Sequence, residues 1–352
     1  MVARIAICMA TFEPRLNLFE RQVESIRKQT ERSFVCIVSD DGSSQEVYGE
    51  IRRICARDTR FVLSRGERRR GVYGNFERAL SLAPSEVQYV AFSDQDDVWY
   101  PEKVAVLAKA LDKPDVLLAY SDMRIVDAMG RLLAPSFWTD RRNNFEDLGS
   151  LLLQNTVTGA ASLFRRELLE LALPFPVVPS SAYQYHDHWL ASLALSCGRI
   201  VFVPRPLHDY VQHSGNVVGR HEPLPDELKG GLARAGLRFI RSPRRRLSIA
   251  VGHARLYHDR DVVPLRLLAR ELERRVAGRC AKGKRRTIRR IARLGTPSSL
   301  LWLLARSARD VRGDSETLGV ENQLITGIVW GWLARIGPTA LRKRRRRRPR
   351  IS

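Results

Sequence analysis

Gln88-Tyr89-Val90-Ala91-Phe92-Ser93-Asp94-Gln95-Asp96-Asp97 opens on an apolar run and closes on three carboxylates within four residues. The run, 88–93, reads as a buried strand with the acids at its carboxyl end. Outward from it, short apolar runs alternate with segments of helical period. Further strands are expected at 4–9, 34–39, 60–64 and 115–121. Helices are expected at 16–29, where Leu16, Phe19, Val23 and Ile26 form a stripe, and at 45–56, 73–82 and 101–111. Pro101 suits a first helical turn, where the N–H it lacks would have no partner. Strands alternating with helices of roughly 10–15 residues imply right-handed βαβ crossovers. The fold class is therefore α/β, Rossmann-like, a mainly parallel sheet with helices on both faces. Ligands in such sheets bind at the carboxyl ends of strands. That rule selects Thr11 to Glu13, Asp40 to Ser43 and Asp94 to Asp97.

Three crowded carboxylates raise one another's pKa, so a chain that keeps them supplies a cation site. Asp94 and Asp96 are two apart and face one side in extended backbone. Oxygen ligands suit Mg²⁺ or Mn²⁺, which take one or two protein carboxylates plus phosphate oxygens. The competing reading is a solvated acidic loop leading into a helix start, where Asp is favoured anyway. Asp40-Asp41-Gly42-Ser43 could accept hydrogen bonds from a ribose or a base, with Gly42 letting the backbone turn close to a ligand. It could equally be a βα turn that caps the next helix.

The chain has 352 residues, 44% of them hydrophobic, enough to bury a large core, which excludes global disorder. Its five Cys show no CxxC pair, arguing against a zinc ribbon, and their odd number argues against a secreted disulfide framework. A reducing, cytoplasmic compartment is expected. The apolar run before Thr11 is too short for a signal peptide, and no stretch reaches the roughly 18 apolar residues that span a bilayer. Charge divides the chain. Residues 1–225 hold 27 Lys/Arg against 28 Asp/Glu, and residues 226–352 hold 33 against 10, so the net charge of +22 resides in the second part. Three regions follow: a body at 1–225, a basic helical region at 226–340 and a polybasic tail at 341–352.

The order and spacing of Ala10-Thr11-Phe12-Glu13, Ser25-Ile26 with Gln29-Thr30, Asp40-Asp41-Gly42-Ser43, Gly71-Val72-Tyr73-Gly74-Asn75-Phe76 and Phe92-Ser93-Asp94-Gln95-Asp96-Asp97-Val98-Trp99 closely resemble family 2 glycosyltransferases. The rhamnosyltransferase-like bacterial members are the nearest in pattern. Thr158-Gly159, His186-Asp187-His188-Trp189-Leu190 and Tyr210-Val211-Gln212-His213-Ser214-Gly215-Asn216 continue the resemblance, which spans 4–220, about three-fifths of the chain. Two departures stand out. Gln45 occupies a position where the family pattern usually has an acid, and Arg68-Arg69-Arg70 replaces a stretch where Asn is common.

The resemblance implies a glycosyltransferase-A fold. It places Thr11, Glu13, Asp40, Asp41 and Asn75 on the nucleotide of the donor. Asp94 and Asp96 match the family's DxD, with Asp94 also on the donor side and His213 at a position that helps hold the metal or diphosphate. Asp187 matches the general base of an inverting transfer, in which one carboxylate takes the acceptor proton; otherwise it is a helix cap. Arg68–Arg70 would add phosphate contacts or form a solvated loop. Five of the seven His lie between His186 and His221, but there is no HExxH, and His186 and His188 face apart on a helix, which disfavours a zinc hydrolase.

The implied activity is metal-dependent transfer of a sugar from a UDP- or dTDP-sugar to a saccharide or lipid-linked acceptor in surface polysaccharide synthesis. In the basic region, 324–333 carries Trp330 and Trp332 and precedes the eight cations of 342–350. Together they suggest an interfacial helix and an anchor on anionic lipid at the inner face of the cell membrane; a core-packing helix is the alternative. Polybasic tails also bind nucleic acid, so a nucleic-acid-binding protein with an inert glycosyltransferase-like body is the competing class. No recognition motif for nucleic acid is visible, and the joint presence of Asp94, Asp96 and Asp187 favours the enzyme.

Overall fold

The computed structural model describes residues 3–138, 143–180, 183–213, 251–310, 317 and 319–336. Strands β1 (Ile5–Thr11), β2 (Phe34–Asp40), β3 (Phe61–Arg65) and β4 (Tyr89–Ser93) lie in the spatial order β3-β2-β1-β4, all parallel. Their register sets Thr11 beside Asp40, Asp40 beside Arg65, and Met9 beside Ser93. The carboxyl ends of all four strands therefore share one edge, as the alternation of strands and helices implied.

The strands are apolar on both faces because helices cover both. Ile5, Ile7 and Met9 form one core with Phe19, Val23 and Ile26 of α1 (Leu16–Arg27) and with Ile51 and Ile54 of α2 (Gln45–Cys55). Cys8 faces the other way, its thiol donating to the Ala79 carbonyl of α3 (Gly71–Ser81). The period of two along β1 thus divides its side chains between two helical layers.

Beyond β4 the chain forms β5 (Val98–Trp99), α4 (Lys103–Ala110), β6 (Val116–Asp127), β7 (Leu132–Ala134), α5 (Leu148–Leu153), β8 (Ser162–Arg165), α6 (Leu169–Ala172), α7 (His186–Cys197) and β9 (Arg199–Gln212). The sheet continues as β8-β6-β9-β5, with β7 paired to β6. Here strand directions mix: β8 is antiparallel to β4 and β6, β9 is parallel to β6, and β5 is antiparallel to β9. The strand expected at 115–121 exists and runs longer. It does not neighbour β4, because β8 lies between them. With four residues set between two short 3-10 turns, β8 carries too little periodicity to show in the sequence.

The chain falls into two compact units. The first comprises 1–177, 184–214 and 270–288; the second comprises 178–183, 215–269 and 289–352. The C-terminal helices are α8 (Val263–Arg275), α9 (Lys282–Ala292), α10 (Pro297–Asp310) and α11 (Val320–Ile336). The expected boundary at 225 and the tail at 341–352 lie outside the described residues.

Within the second unit, α11 is a packing helix, the alternative to an interfacial one. Leu324 and Ile328 are buried, and side chains added at Gly327 and Gly331 would meet His258 at 2.8 and 2.7 Å. Trp332 donates its indole N–H to the Gly295 carbonyl at 2.6 Å. Among the described residues of α10 and α11, the exposed large apolar side chains are Leu301, Leu304, Val329 and Leu333. Among the described residues, no helix is long and apolar enough to cross a membrane.

Candidate active site

At the shared edge, the ends of β1 and β2 are laced together by polar groups. Thr11 Oγ1 and the Phe12 N–H both donate to Gln95 Oε1 at 2.9 Å. Glu13 has φ +42°, an uncommon backbone for a non-glycine residue. Its N–H donates to Ser43 Oγ at 2.9 Å, and its carboxylate accepts the Ser44 N–H at 2.5 Å. Asp40 is almost fully buried, and its carboxylate accepts from the N–H groups of Gly42 and Ser43 and from the Ser43 hydroxyl. Asp40 thus builds the turn after β2, for which Gly42 supplies φ +87°. Asp41 accepts from the N–H groups of Arg70 and Gly71, both at 2.8 Å, and so fastens the start of α3 to the same edge. The adjacent Arg69 lies over the Phe12 ring at 3.9 Å.

Asn75 sits on the buried face of α3 and has no free amide edge. It accepts from the Ser39 hydroxyl at 2.7 Å and donates to the carbonyls of Thr11 at 3.2 Å and Ser39 at 2.8 Å. These bonds tie β1 to β2, so Asn75 holds that edge of the sheet in place. Its signal in the sequence was a polar residue on the apolar stripe it shares with Phe76, Ala79 and Leu80.

The second half of the site is built from carboxylates. Asp94 is pushed up to about 7 by burial and by the charges of Asp96 and Asp187. The fold thus brings Asp187 near enough to Asp94 for its charge to be felt there, although the two lie far apart in sequence. Asp96 is raised by burial and lowered by His213, whose Nε2 is 2.8 Å from Asp96 Oδ2. Asp97 is wholly buried and accepts the Val211 N–H at 3.3 Å, which makes it part of the packing under β9. Asp187 begins α7. Its two oxygens accept from the N–H groups of His188 at 2.6 Å and Gly159 at 3.2 Å, while burial pushes its pKa up to about 6.

Gly159 must be glycine here, because a Cβ would lie 2.6 Å from His186 Nε2. The His186 ring stacks on Phe76 at 3.8 Å and burial drops its pKa to about 3, so it is a neutral packing residue. Among the described residues, no group of three or more His, Cys, Asp or Glu is placed to hold a metal ion by itself. The Asp96–His213 pair, with Asp94 close enough to feel the Asp96 charge, offers donors of the kind that Mg²⁺ or Mn²⁺ uses when phosphate oxygens supply the remaining ligands.

Several supporting residues carried no role in the sequence reading. Gln29 donates to the Tyr100 carbonyl at 2.8 Å and accepts the Val104 N–H at 3.1 Å, and Ser25 Oγ accepts the Trp99 N–H at 3.0 Å. Both fix the far end of the acidic loop. Asp209 accepts from the Tyr100 hydroxyl at 2.6 Å and from Arg124, joining β9 to β6. Lys103 is fully buried, which the apolar stripe of α4 could have betrayed.

The profile described as glycosyl transferase family 2 matches residues 6–171. An uncharacterized glycosyltransferase of Nostoc sp. is 27% identical over 204 residues, covering 56% of this chain and 61% of its own length. The Escherichia coli UDP-Glc:alpha-D-GlcNAc-diphosphoundecaprenol beta-1,3-glucosyltransferase WfgD is 24% identical over 205 residues, covering 56% and 74%. The chain therefore spans less than two thirds of the Nostoc relative. Among solved structures, the mannosyltransferase PcManGT of Pyrobaculum calidifontis, in complex with GDP-Man and Mn²⁺, superposes with a TM-score of 0.51 at 16% identity, covering 94% of this chain and 88% of its own. The shared architecture is the glycosyltransferase-A fold, an α/β body followed by a helical C-terminal region.

Proposed function

Residues 6–171 of this chain are a glycosyl transferase family 2 domain, and on that premise we propose that the protein transfers a sugar, with inversion, from a nucleotide-diphosphate donor to a saccharide or lipid-linked acceptor. The observation that carries the reading is the convergence of Asp94, Asp96 and Asp187, each raised in pKa by burial. Carboxylates kept in that condition are costly unless a substrate or ion uses them.

In this reading the nucleoside lies along the edge formed by Thr11, Glu13 and the Asp40–Asp41 turn, with Asn75 holding that edge. Arg68–Arg70 stand beside it for the phosphates. Asp94, Asp96 and His213 would hold Mg²⁺ or Mn²⁺, which when bound offsets the charge of the diphosphate. Asp187 accepts the proton of the acceptor hydroxyl as that oxygen attacks the anomeric carbon opposite the leaving nucleotide. A base whose pKa sits near 6 is ionised at neutral pH yet basic enough to take the proton. UDP- and dTDP-sugars are the donors proposed, with the surface polysaccharide pathway and the inner face of the cell membrane as the setting. A lipid-diphosphate acceptor gains support from the name of WfgD. The cations of the C-terminal part would attract anionic lipid, on the order of 1 kcal/mol per exposed Arg.

A panel of UDP- and dTDP-sugars, with and without Mn²⁺, tests the reading. Stabilisation by a nucleotide sugar that requires Mn²⁺, followed by transfer to a sugar-diphosphate lipid, is the expected outcome. Tight duplex DNA binding with no response to any donor would favour the nucleic-acid class instead.

A further inference from the structure

Lys103 lies on the same face of α4 as Val104, Leu107 and Ala108, and its side chain has 0% exposure. An ammonium withdrawn from water loses its hydration, and a methionine would fill similar space without that loss. The groups around the charge indicate what it does. Lys103 Nζ donates to the Ala160 carbonyl at 2.5 Å and lies 3.8 Å from the centre of the Trp99 ring. Burial lowers the Lys103 pKa to about 7, and the charges of Asp97 and Asp94 work against that loss and favour the ammonium.

Ala160 is the middle residue of the short turn Gly159–Ala161. The first residue of that turn donates its N–H to Asp187 Oδ2 at 3.2 Å. The other oxygen of Asp187 is held by His188, from the same helix as Asp187 itself. Gly159 is therefore the donor that fixes the carboxylate against a different element. The turn has little slack, since even a Cβ at Gly159 would lie 3.3 Å from Asp187 Cβ. A shift of the Ala160 carbonyl must pass to the Gly159 N–H.

We propose that Lys103 is a positioning residue for Asp187, its ammonium clamping the Gly159–Ala161 turn whose N–H orients the carboxylate. The proposal rests on the reading of Asp187 as the base. Lys103 touches no substrate in this account; it acts through the turn, and it links the acidic loop to the base.

A double-mutant cycle on the full chain tests this, using transfer kcat and donor KM for the wild type, Lys103→Met, Asp187→Asn and the double variant. Lys103→Met should lower kcat about tenfold or more with donor KM changed less than about threefold. In the Asp187→Asn background the same change should cost less than about twofold, because the group it orients is gone. Lys103→Gln, which keeps an N–H for Ala160 without the charge, should recover part of the loss. If the two single losses multiply while Asp187→Asn alone is impaired, Lys103 acts elsewhere and the proposal is overturned. Full activity in Asp187→Asn would instead remove the base reading itself. Failure of both Lys103 variants to fold would make Lys103 a residue of the core and equally overturn the proposal.

Discussion

At the ends of β1 and β2, nearly every polar group described has an internal partner: Asp40 with its turn, Asp41 with the start of α3, Asn75 with Ser39 and Thr11. At the end of β4 and the start of α7 the carboxylates also have partners, Asp96 in His213 and Asp187 in two N–H groups, but these do not offset the cost of burying their charge. Asp94, Asp96 and Asp187 are gathered and desolvated, and their pKa values are raised. The first region is a rigid frame whose hydrogen bonds are complete before any ligand arrives. The second holds charge that its surroundings leave partly uncompensated. In the proposed reading, that charge meets a bound cation and takes up a proton.

Substitutions that separate stability from activity sharpen this contrast. The largest expected effect is at Asp96. Asp96→Ala should abolish measurable transfer and the Mn²⁺-dependent part of nucleotide binding, while the melting temperature stays the same or rises because a buried like charge is gone. Mn²⁺-dependent binding retained at the wild-type level, read by titration calorimetry, would break the assignment of the metal site.

Asn75→Ala should show the opposite profile. It leaves two carbonyls and a hydroxyl without their buried partner, costing about 1–3 kcal/mol of stability. Chemical denaturation should register that loss, with donor KM affected more than kcat. A variant as stable as the wild type with kcat lost would move Asn75 from the frame into the chemistry.

The smallest effect concerns the C-terminal part, where charge and packing also separate. Deleting 342–352 removes eight cations and should weaken binding to anionic vesicles, most visibly at low salt, since exposed charges are screened beyond about 10 Å at 0.1 M. Transfer to a soluble acceptor should survive. Trp332→Ala should lower the thermal stability of the second unit, since its indole is hydrogen-bonded to Gly295, and should leave vesicle binding nearly unchanged. Co-sedimentation with liposomes separates the two.

Much of this was legible in the sequence. The parallel half follows from the alternation of apolar runs and helical stripes, and its site edge from the rule of strand ends. The grouping of Asp187 with Asp94 was readable through family resemblance alone, because 92 intervening residues carry no local signal of contact. β8 was hidden by its shortness. Lys103 and Asn75 were visible in principle as polar residues on apolar stripes, but a stripe reports burial and not partners. The interfacial reading of 324–333 arose because Trp and Gly in an apolar run suit a bilayer surface and a tight helix contact equally. His258, lying against Gly327 and Gly331, shows that one face of the helix packs, while Val329 and Leu333 on it are exposed.

The central claim is that Asp187 is the base of a sugar transfer, and the pH dependence of kcat in the wild type and in Asp187→Asn tests it most directly. A carboxylate raised to about 6 must lose its proton to act, so wild-type kcat should rise about tenfold per pH unit below pH 6 and level off above it. Asp187→Asn should be slower by roughly 10²–10⁴ at neutral pH, lack that acidic limb and bind the donor as the wild type does. Near-normal turnover with the same acidic limb would contradict the account and leave Asp187 a structural residue in the first turn of α7, bonded to Gly159 and His188.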